Sequence, residues 1–130
     1  MYDVIIIGAG PAGISAGIYA VSRGQKTLIL EKNQVGGLIR RVSAVTHYAA
    51  IVEGETGESF AKRLRKQAEN AGVEILQTEV KKVELTGVEK RIYTEKECYC
   101  AKKVILANGT SPRKLGIPGE IELAGRGIGM

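Results

Sequence analysis

Residues 2–24 read YDVIIIGAGPAGISAGIYAVSRG, and this stretch decides the fold. Tyr2–Gly8 is a short, nearly continuous apolar run, the pattern of a strand buried on both faces of a parallel sheet. It runs straight into Gly8-Ala9-Gly10-Pro11-Ala12-Gly13, a G-x-G-x-x-G. Pro11 suits a first helical turn, and Gly24 suits the residue just past a helix end. Between them Ile14, Ile18 and Val21 fall on one helical face. Lys26–Lys32 (KTLILEK) then reads as a second buried strand, so residues 1–31 form one βαβ unit.

In that context the glycines have a chemical reading. Gly8 permits a tight turn, Gly10 lets a pyrophosphate reach the backbone, and Gly13 lets the helix lie close to the strand. The free N–H groups and positive dipole end of the helix then hold phosphate. Glu31, at the end of the second strand, stands eighteen residues after Gly13 and can accept both ribose hydroxyls of an adenosine. A carboxylate there repels a 2′-phosphate, which disfavours NADP at this site. Spacing alone leaves NAD and FAD open.

Working outward, residues 33–57 show no sustained period and read as a long irregular stretch. Loops of this length tend to be functional or mobile. Glu58–Gly72 (ESFAKRLRKQAENAG) carries an apolar stripe of Phe60, Ala61, Leu64, Ala68 and Ala71, and Gly72 ends it. VEILQ (Val73–Gln77) is the next strand, giving β-α-β-loop-α-β and a right-handed parallel sheet. Three short β-rich runs follow, Glu79–Leu85, Lys90–Thr94 and Cys98–Lys102, read as an antiparallel meander. The last leads into a further buried strand, Val104–Asn108. Residues 109–130 are a Gly/Pro-rich loop. The fold class expected is therefore α/β, a Rossmann-like βαβ fold with a parallel sheet plus a small three-stranded antiparallel β-meander.

Composition narrows the function classes. The net charge is +5, and residues 61–130 supply all of it, with fourteen Lys/Arg against nine Asp/Glu. Acids are interleaved there (Glu69, Glu74, Glu79, Glu84, Glu89), so the pattern is of solvated faces and not of a nucleic-acid surface. No stretch approaches a membrane span, and the run Val4–Ile7 is too short for a signal peptide, so a cytoplasmic protein is expected. Cys98 and Cys100 read as a reduced pair, because C-x-C in a strand lacks the helix-start position that stabilises a thiolate. His47, the single histidine, and the pair Arg40-Arg41 read as solvated loop residues, with contacts near a bound cofactor as the alternative. No catalytic residue and no metal site is expected.

Together, DVIIIGAGPAGISAGIYA, the EK…GG of Glu31-Lys32 and Gly36-Gly37, TGESF, VILANGTSPRKLGIPGE and GRG resemble the FAD domain of bacterial low-molecular-weight thioredoxin reductases. The resemblance runs over almost the whole chain. It implies FAD, with a nicotinamide-binding domain and a redox Cys-x-x-Cys later in the chain, and a thioredoxin-like disulfide as the electron acceptor. A homodimer is compatible with it. Residue by residue, it implies that Gly8, Gly10, Pro11 and Ala12 hold the FAD pyrophosphate beside Gly13, and that Glu31 and Lys32 contact the adenosine ribose. Gly36 and Gly37 would pass close to the flavin side, Val80 would pair its backbone with adenine, and Ala107, Asn108 and Gly109 would cover the cofactor. Three places depart from the family pattern: Leu38 where Gln is usual, His47-Tyr48-Ala49-Ala50 where Asn, an aromatic, Pro and Gly are usual, and Asn108 where Thr is usual. Leu38 cannot make the polar contact of a Gln, which puts the flavin-end contacts and the usual electron donor in question.

The expected organisation is a partial FAD-binding domain over residues 1–110 and a linker over 111–130 toward a nicotinamide domain. Weak or incomplete FAD binding and no turnover by this chain alone are expected. The alternative is a stand-alone or two-polypeptide nucleotide-binding module without catalysis. A stand-alone NAD-dependent dehydrogenase has no Ser/Tyr/Lys or Asp/His constellation to support it. Aligned on the family, Gly125–Met130 (GRGIGM) leads up to the first redox cysteine, which would follow Met130. One expectation is an in-frame UGA there that encodes selenocysteine.

Overall fold

The computed structural model describes residues 1–127. The element order is β1 (Tyr2–Ile7), α1 (Pro11–Ser22), β2 (Thr27–Glu31), a 3-10 helix (Gly37–Arg41), α2 (Gly57–Ala71), β3 (Glu74–Gln77), β4 (Lys82–Glu84), β5 (Lys90–Tyr93) and β6 (Cys98–Leu106). The six strands form one sheet in the order β3-β2-β1-β6-β5-β4. β3, β2, β1 and β6 run parallel, with Ile5 opposite both Leu28 and Val104. β4 and β5 continue it antiparallel. The α/β class with a parallel sheet and an antiparallel arm is the one expected.

β1 and β2, at the centre of the parallel half, are buried on both faces, as their unbroken apolar runs require. Val4, Ile6 and Ile29 pack beneath Ile14 of α1 and Ala68 of α2, while Ile5, Leu28 and Leu30 face the other way. On that second face they meet Ile92 and Ala101, so the antiparallel arm covers the sheet there. Ile5, Ile6, Leu28 and Ile29 are wholly buried, each contributing about 1.5–3 kcal/mol over exposure. α1 can press on β2 because Gly17 lacks a side chain. A Cβ there would lie 2.7 Å from Ile29 Cδ1. α2 starts with a reciprocal cap. The Ser59 N–H donates to Thr56 Oγ1 and the Thr56 N–H to Ser59 Oγ. Gly72 ends α2 in the left-handed conformation at φ 80°.

Four expectations are corrected. Cys98–Lys102 and Val104–Asn108 are a single strand, β6, that pairs β5 on one edge and β1 on the other, changing partner at Ala101. This strand is not uniformly buried, for Leu106 is 59 % exposed. The first meander strand shrinks to Lys82–Glu84, leaving Val80 in the connection before it. Residues 33–57 are not wholly irregular, since Gly37–Arg41 closes a 3-10 helix. Of Gly125–Met130, residues 128–130 lie outside the described residues, and with them the expected lead-in to a redox cysteine.

Candidate functional site

The carboxyl ends of β1, β2 and β6 meet at the glycine turn. Gly8 adopts φ 106°, and a Cβ on it would stand 2.2 Å from the Ala107 carbonyl oxygen. A Cβ on Gly13 would lie 1.8 Å from the Gly8 carbonyl oxygen. Neither position can carry a side chain without moving backbone, so these two glycines set the strand-to-helix geometry. Gly10 behaves differently. A Cβ there would meet only the Gly36 carbonyl oxygen within 4 Å, at 3.8 Å, so the space above Gly10 is open.

Gly10 is also the N-cap of α1, and no side chain caps the helix. Pro11 occupies the first helical turn and no acidic residue lies in that turn. The first N–H groups of a helix have no partner within it and form the positive end of its dipole. An open floor, uncapped N–H groups and no nearby carboxylate in the first turn together make a cradle that fits a pyrophosphate.

Glu31 ends β2 beside this cradle. Its Oε1 accepts the Ala9 N–H at 2.9 Å and its Oε2 accepts the Asn33 N–H at 2.8 Å. A carboxylate offers about four acceptor positions, so each oxygen keeps capacity for a ribose hydroxyl. The side chain is thereby held against the glycine turn, while Lys32 beside it is exposed. The sequence suggested the acid but not its bond to Ala9, because nothing in the spacing reveals which backbone N–H a carboxylate will find.

The second glycine turn closes over the first. The Gly36 N–H donates to the Ala9 carbonyl at 2.8 Å, and a Cβ on Gly37 would lie 3.6 Å from Gly10 Cα. Gly36 and Gly37 both have positive φ, at 114° and 62°. On the β6 side the Ala107 N–H donates to the Ile7 carbonyl, placing Ala107 over Gly8, with Asn108 and Gly109 exposed beyond it. Val80 is half-buried against the second-face core near Thr78, whose N–H bonds the Glu31 carbonyl. The structure therefore gathers Gly8–Gly13, Glu31, Gly36-Gly37 and Ala107 at one sheet end.

The other singled-out residues lie apart. His47 is exposed and pairs Nδ1 with Thr46 Oγ1. Arg40 sits in the 3-10 helix and pairs with Glu58 at 3.4 Å, which corrects its reading as a merely solvated loop residue. Cys98 and Cys100 are free thiols. The Cys100 thiol is pushed up by its hydrogen bond to the Glu89 side chain and by burial, which opposes thiolate formation. Among the described residues no group of three or more His, Cys, Asp or Glu side chains is placed to hold a metal. One groove, about 380 Å³, lies between the β3 end and the β5–β6 turn. It has no glycine turn and no helix start, whereas the smaller groove of about 210 Å³ borders Glu31.

A strand, a glycine turn, an uncapped helix start and an acid on the next strand define a dinucleotide-binding domain of the Rossmann type. The comparisons with known proteins narrow this. The profile described as pyridine nucleotide-disulphide oxidoreductase matches residues 2–129, and the chain belongs to that family. It is 42 % identical over 128 residues to a thioredoxin reductase of Peptoclostridium acidaminophilum, covering 98 % of this chain and 41 % of the relative. It superposes on the thioredoxin reductase of Lactococcus lactis with TM-score 0.87 and 36 % identity, covering 95 % of this chain and 40 % of that one. A ferredoxin-flavin thioredoxin reductase from Clostridium acetobutylicum gives TM-score 0.81 at 28 % identity, covering 97 % of this chain and 43 % of that one. The chain thus spans about two-fifths of the length of the relatives it matches. The Clostridium acetobutylicum relative carries a flavin in its name. Among the described residues no helix is long and apolar enough to cross a membrane.

Proposed function

We propose that residues 1–110 are the part of a thioredoxin reductase-like flavoprotein that grips the adenosine and pyrophosphate of FAD, with residues 111–130 as the linker onward. The observation that carries this reading is the open cradle at Gly10, flanked by Glu31 and roofed by Gly36-Gly37. FAD, when bound, supplies the two-electron redox chemistry. The chain's own residues bind and orient. Gly10, Ala12 and Gly13 present backbone N–H groups to the phosphates, Pro11, which has no N–H to give, presets the first helical turn so that the helix dipole points at them, and Gly8 fixes the turn that aims them. Glu31 accepts the ribose hydroxyls while its bonds to Ala9 and Asn33 hold it in place, and Lys32 extends beside the ribose. Val80 offers its backbone to adenine. Gly36, Gly37, Ala107, Asn108 and Gly109 line the way toward the flavin.

In the whole protein electrons would pass from a nicotinamide through FAD to a thioredoxin-like disulfide, in the cytoplasm, with a homodimer as the working form and no nucleic acid or membrane partner. This chain has no C-x-x-C and a single G-x-G-x-x-G. By itself it therefore binds nucleotide and does not turn over. Titration of the purified chain with FAD and with ADP tests the reading. Saturable binding of both, with no nicotinamide-dependent disulfide reduction, is expected. Absence of ADP binding at millimolar concentration overturns the assignment of the cradle, and steady turnover overturns the division of labour.

A further inference from the structure

Glu55 is the most buried acid in the described structure, with its side chain fully enclosed. It lies in the loop Val42–Thr56, whose neck is closed by the Gly57 N–H on the Val42 carbonyl and the Val45 N–H on the Glu55 carbonyl, both at 2.9 Å. Its Oε2 accepts from Arg63 Nη1 at 2.7 Å and its Oε1 from Ser59 Oγ at 2.8 Å. Ser59 and Arg63 are both on α2, and Ser59 is also half of that helix's N-terminal cap. The carboxylate thus ties the loop neck to the first two turns of α2 by charge-assisted bonds.

The same turns of α2 support the second glycine turn. A Cβ on Gly57 would stand 1.9 Å from the Ile39 carbonyl oxygen, so the start of α2 lies directly against the 3-10 helix. A Cβ on Gly36 would stand 2.6 Å from Ala61 Cβ, so Gly36 rests on α2 itself. Gly36 in turn bonds Ala9, and Gly37 lies over Gly10. A continuous line of contacts therefore runs from Glu55 through α2 to the roof of the cradle. Removal of the charge would loosen the neck and let Gly36-Gly37 drift.

We infer that Glu55 is a positioning residue for the flavin-side half of the dinucleotide site, acting through Arg63, Ser59 and α2 on Gly36-Gly37. This rests on the reading of the cradle given above, and it goes beyond it by assigning a role to a residue that touches no part of the cradle. ADP engages the first glycine turn and Glu31, whereas FAD extends past the second turn. The two ligands therefore separate a positioning effect from general loss of fold.

The test compares the full chain with Glu55→Gln, which keeps the shape and an acceptor for Ser59 but removes the charge facing Arg63. Kd for FAD is expected to rise about tenfold and Kd for ADP to change less than about twofold, the scale of a coupling carried through packed contacts. Amide exchange at Gly36 and Gly57 should quicken in the same variant without nucleotide present. Equal loss for both ligands, or no loss for FAD, overturns the inference while leaving the cradle intact. Failure of the unaltered chain to bind ADP defeats the cradle reading instead. Should Glu55→Gln not fold, Ser59→Ala keeps the ion pair and removes the Oγ bonds to Glu55 and to the Thr56 N–H. It is expected to raise Kd for FAD about threefold with Kd for ADP unchanged, and parallel changes for both ligands would overturn the inference.

Discussion

Two glycine turns face each other across the candidate site, and they are held by different physics. The first, Gly8–Gly13, is held by exclusion. Neighbouring carbonyls of Ala107 and Gly8 occupy the places where side chains would stand, and the Gly8 N–H on the Leu30 carbonyl and the Ala107 N–H on the Ile7 carbonyl tie both residues to the sheet. The second, Gly36-Gly37, is held by the Gly36 N–H on the Ala9 carbonyl and by its support from below. It rests on α2, and α2 is tied to its loop by one enclosed carboxylate. The first turn therefore has the rigidity of the core, while the second has the rigidity of a few polar contacts. A site that must grip one end of a long ligand and let the other end settle has a use for both.

The strongest way to break this contrast is Gly13→Ala. The added carbon would need the Gly8 backbone to move, so we expect a loss of about 3–5 kcal/mol in urea unfolding and no measurable ADP binding. A well-folded Gly13→Ala chain that binds ADP normally would show that the first turn is not held by exclusion. Next comes Arg63→Met, which leaves the Glu55 carboxylate enclosed with only Ser59 as side-chain partner. Arg63 itself is half-exposed, so the loss expected in urea unfolding is about 2 kcal/mol, below that of a fully buried pair. An unchanged midpoint would remove the charge from the account of the second turn. Glu31→Gln should weaken ADP about tenfold in calorimetric titration, since an amide nitrogen cannot accept the backbone N–H it would face. The smallest effect expected is at Ala50, a non-glycine residue at φ 63° in the loop Val42–Thr56. Ala50→Gly relieves that conformation and should raise stability by about 0.5–1 kcal/mol with ADP affinity unchanged.

The same contrast explains what was legible in the sequence. β1, α1 and β2 were readable because each is an apolar pattern of its own period, and G-x-G-x-x-G sits between them at the right joints. α2 was readable from its stripe and from Gly72. β6 was not. Its Lys102-Lys103 pair is exposed and reads as a boundary, yet the strand runs on through it because β1 supplies a new partner where β5 ends. The 3-10 helix was missed because a single tight turn leaves no amphipathic stripe. Glu55 was passed over within EGETG, where acid among glycines reads as solvated loop. Its burial depends on Arg63 eight residues later, and the only local hint was the Thr56/Ser59 pair that caps the helix. The backbone cradle and its acid were thus open to sequence reading, and the long-range ties that hold its roof were not.

β6 has one further consequence, for where this chain can be divided. Nine residues of unbroken strand, about 30 Å long, serve the antiparallel arm at one end and the Gly8 turn at the other. Ala101 belongs to both pairings at once, facing Lys90 on one side and Tyr2 on the other. The arm is therefore not a detachable ornament on the parallel sheet. A protease cut or an inserted peptide between Lys96 and Lys103 would orphan the hydrogen bonds of both, whereas the exposed turn at Thr86–Val88 touches only the β4–β5 hairpin and should take an insertion without disturbing either glycine turn.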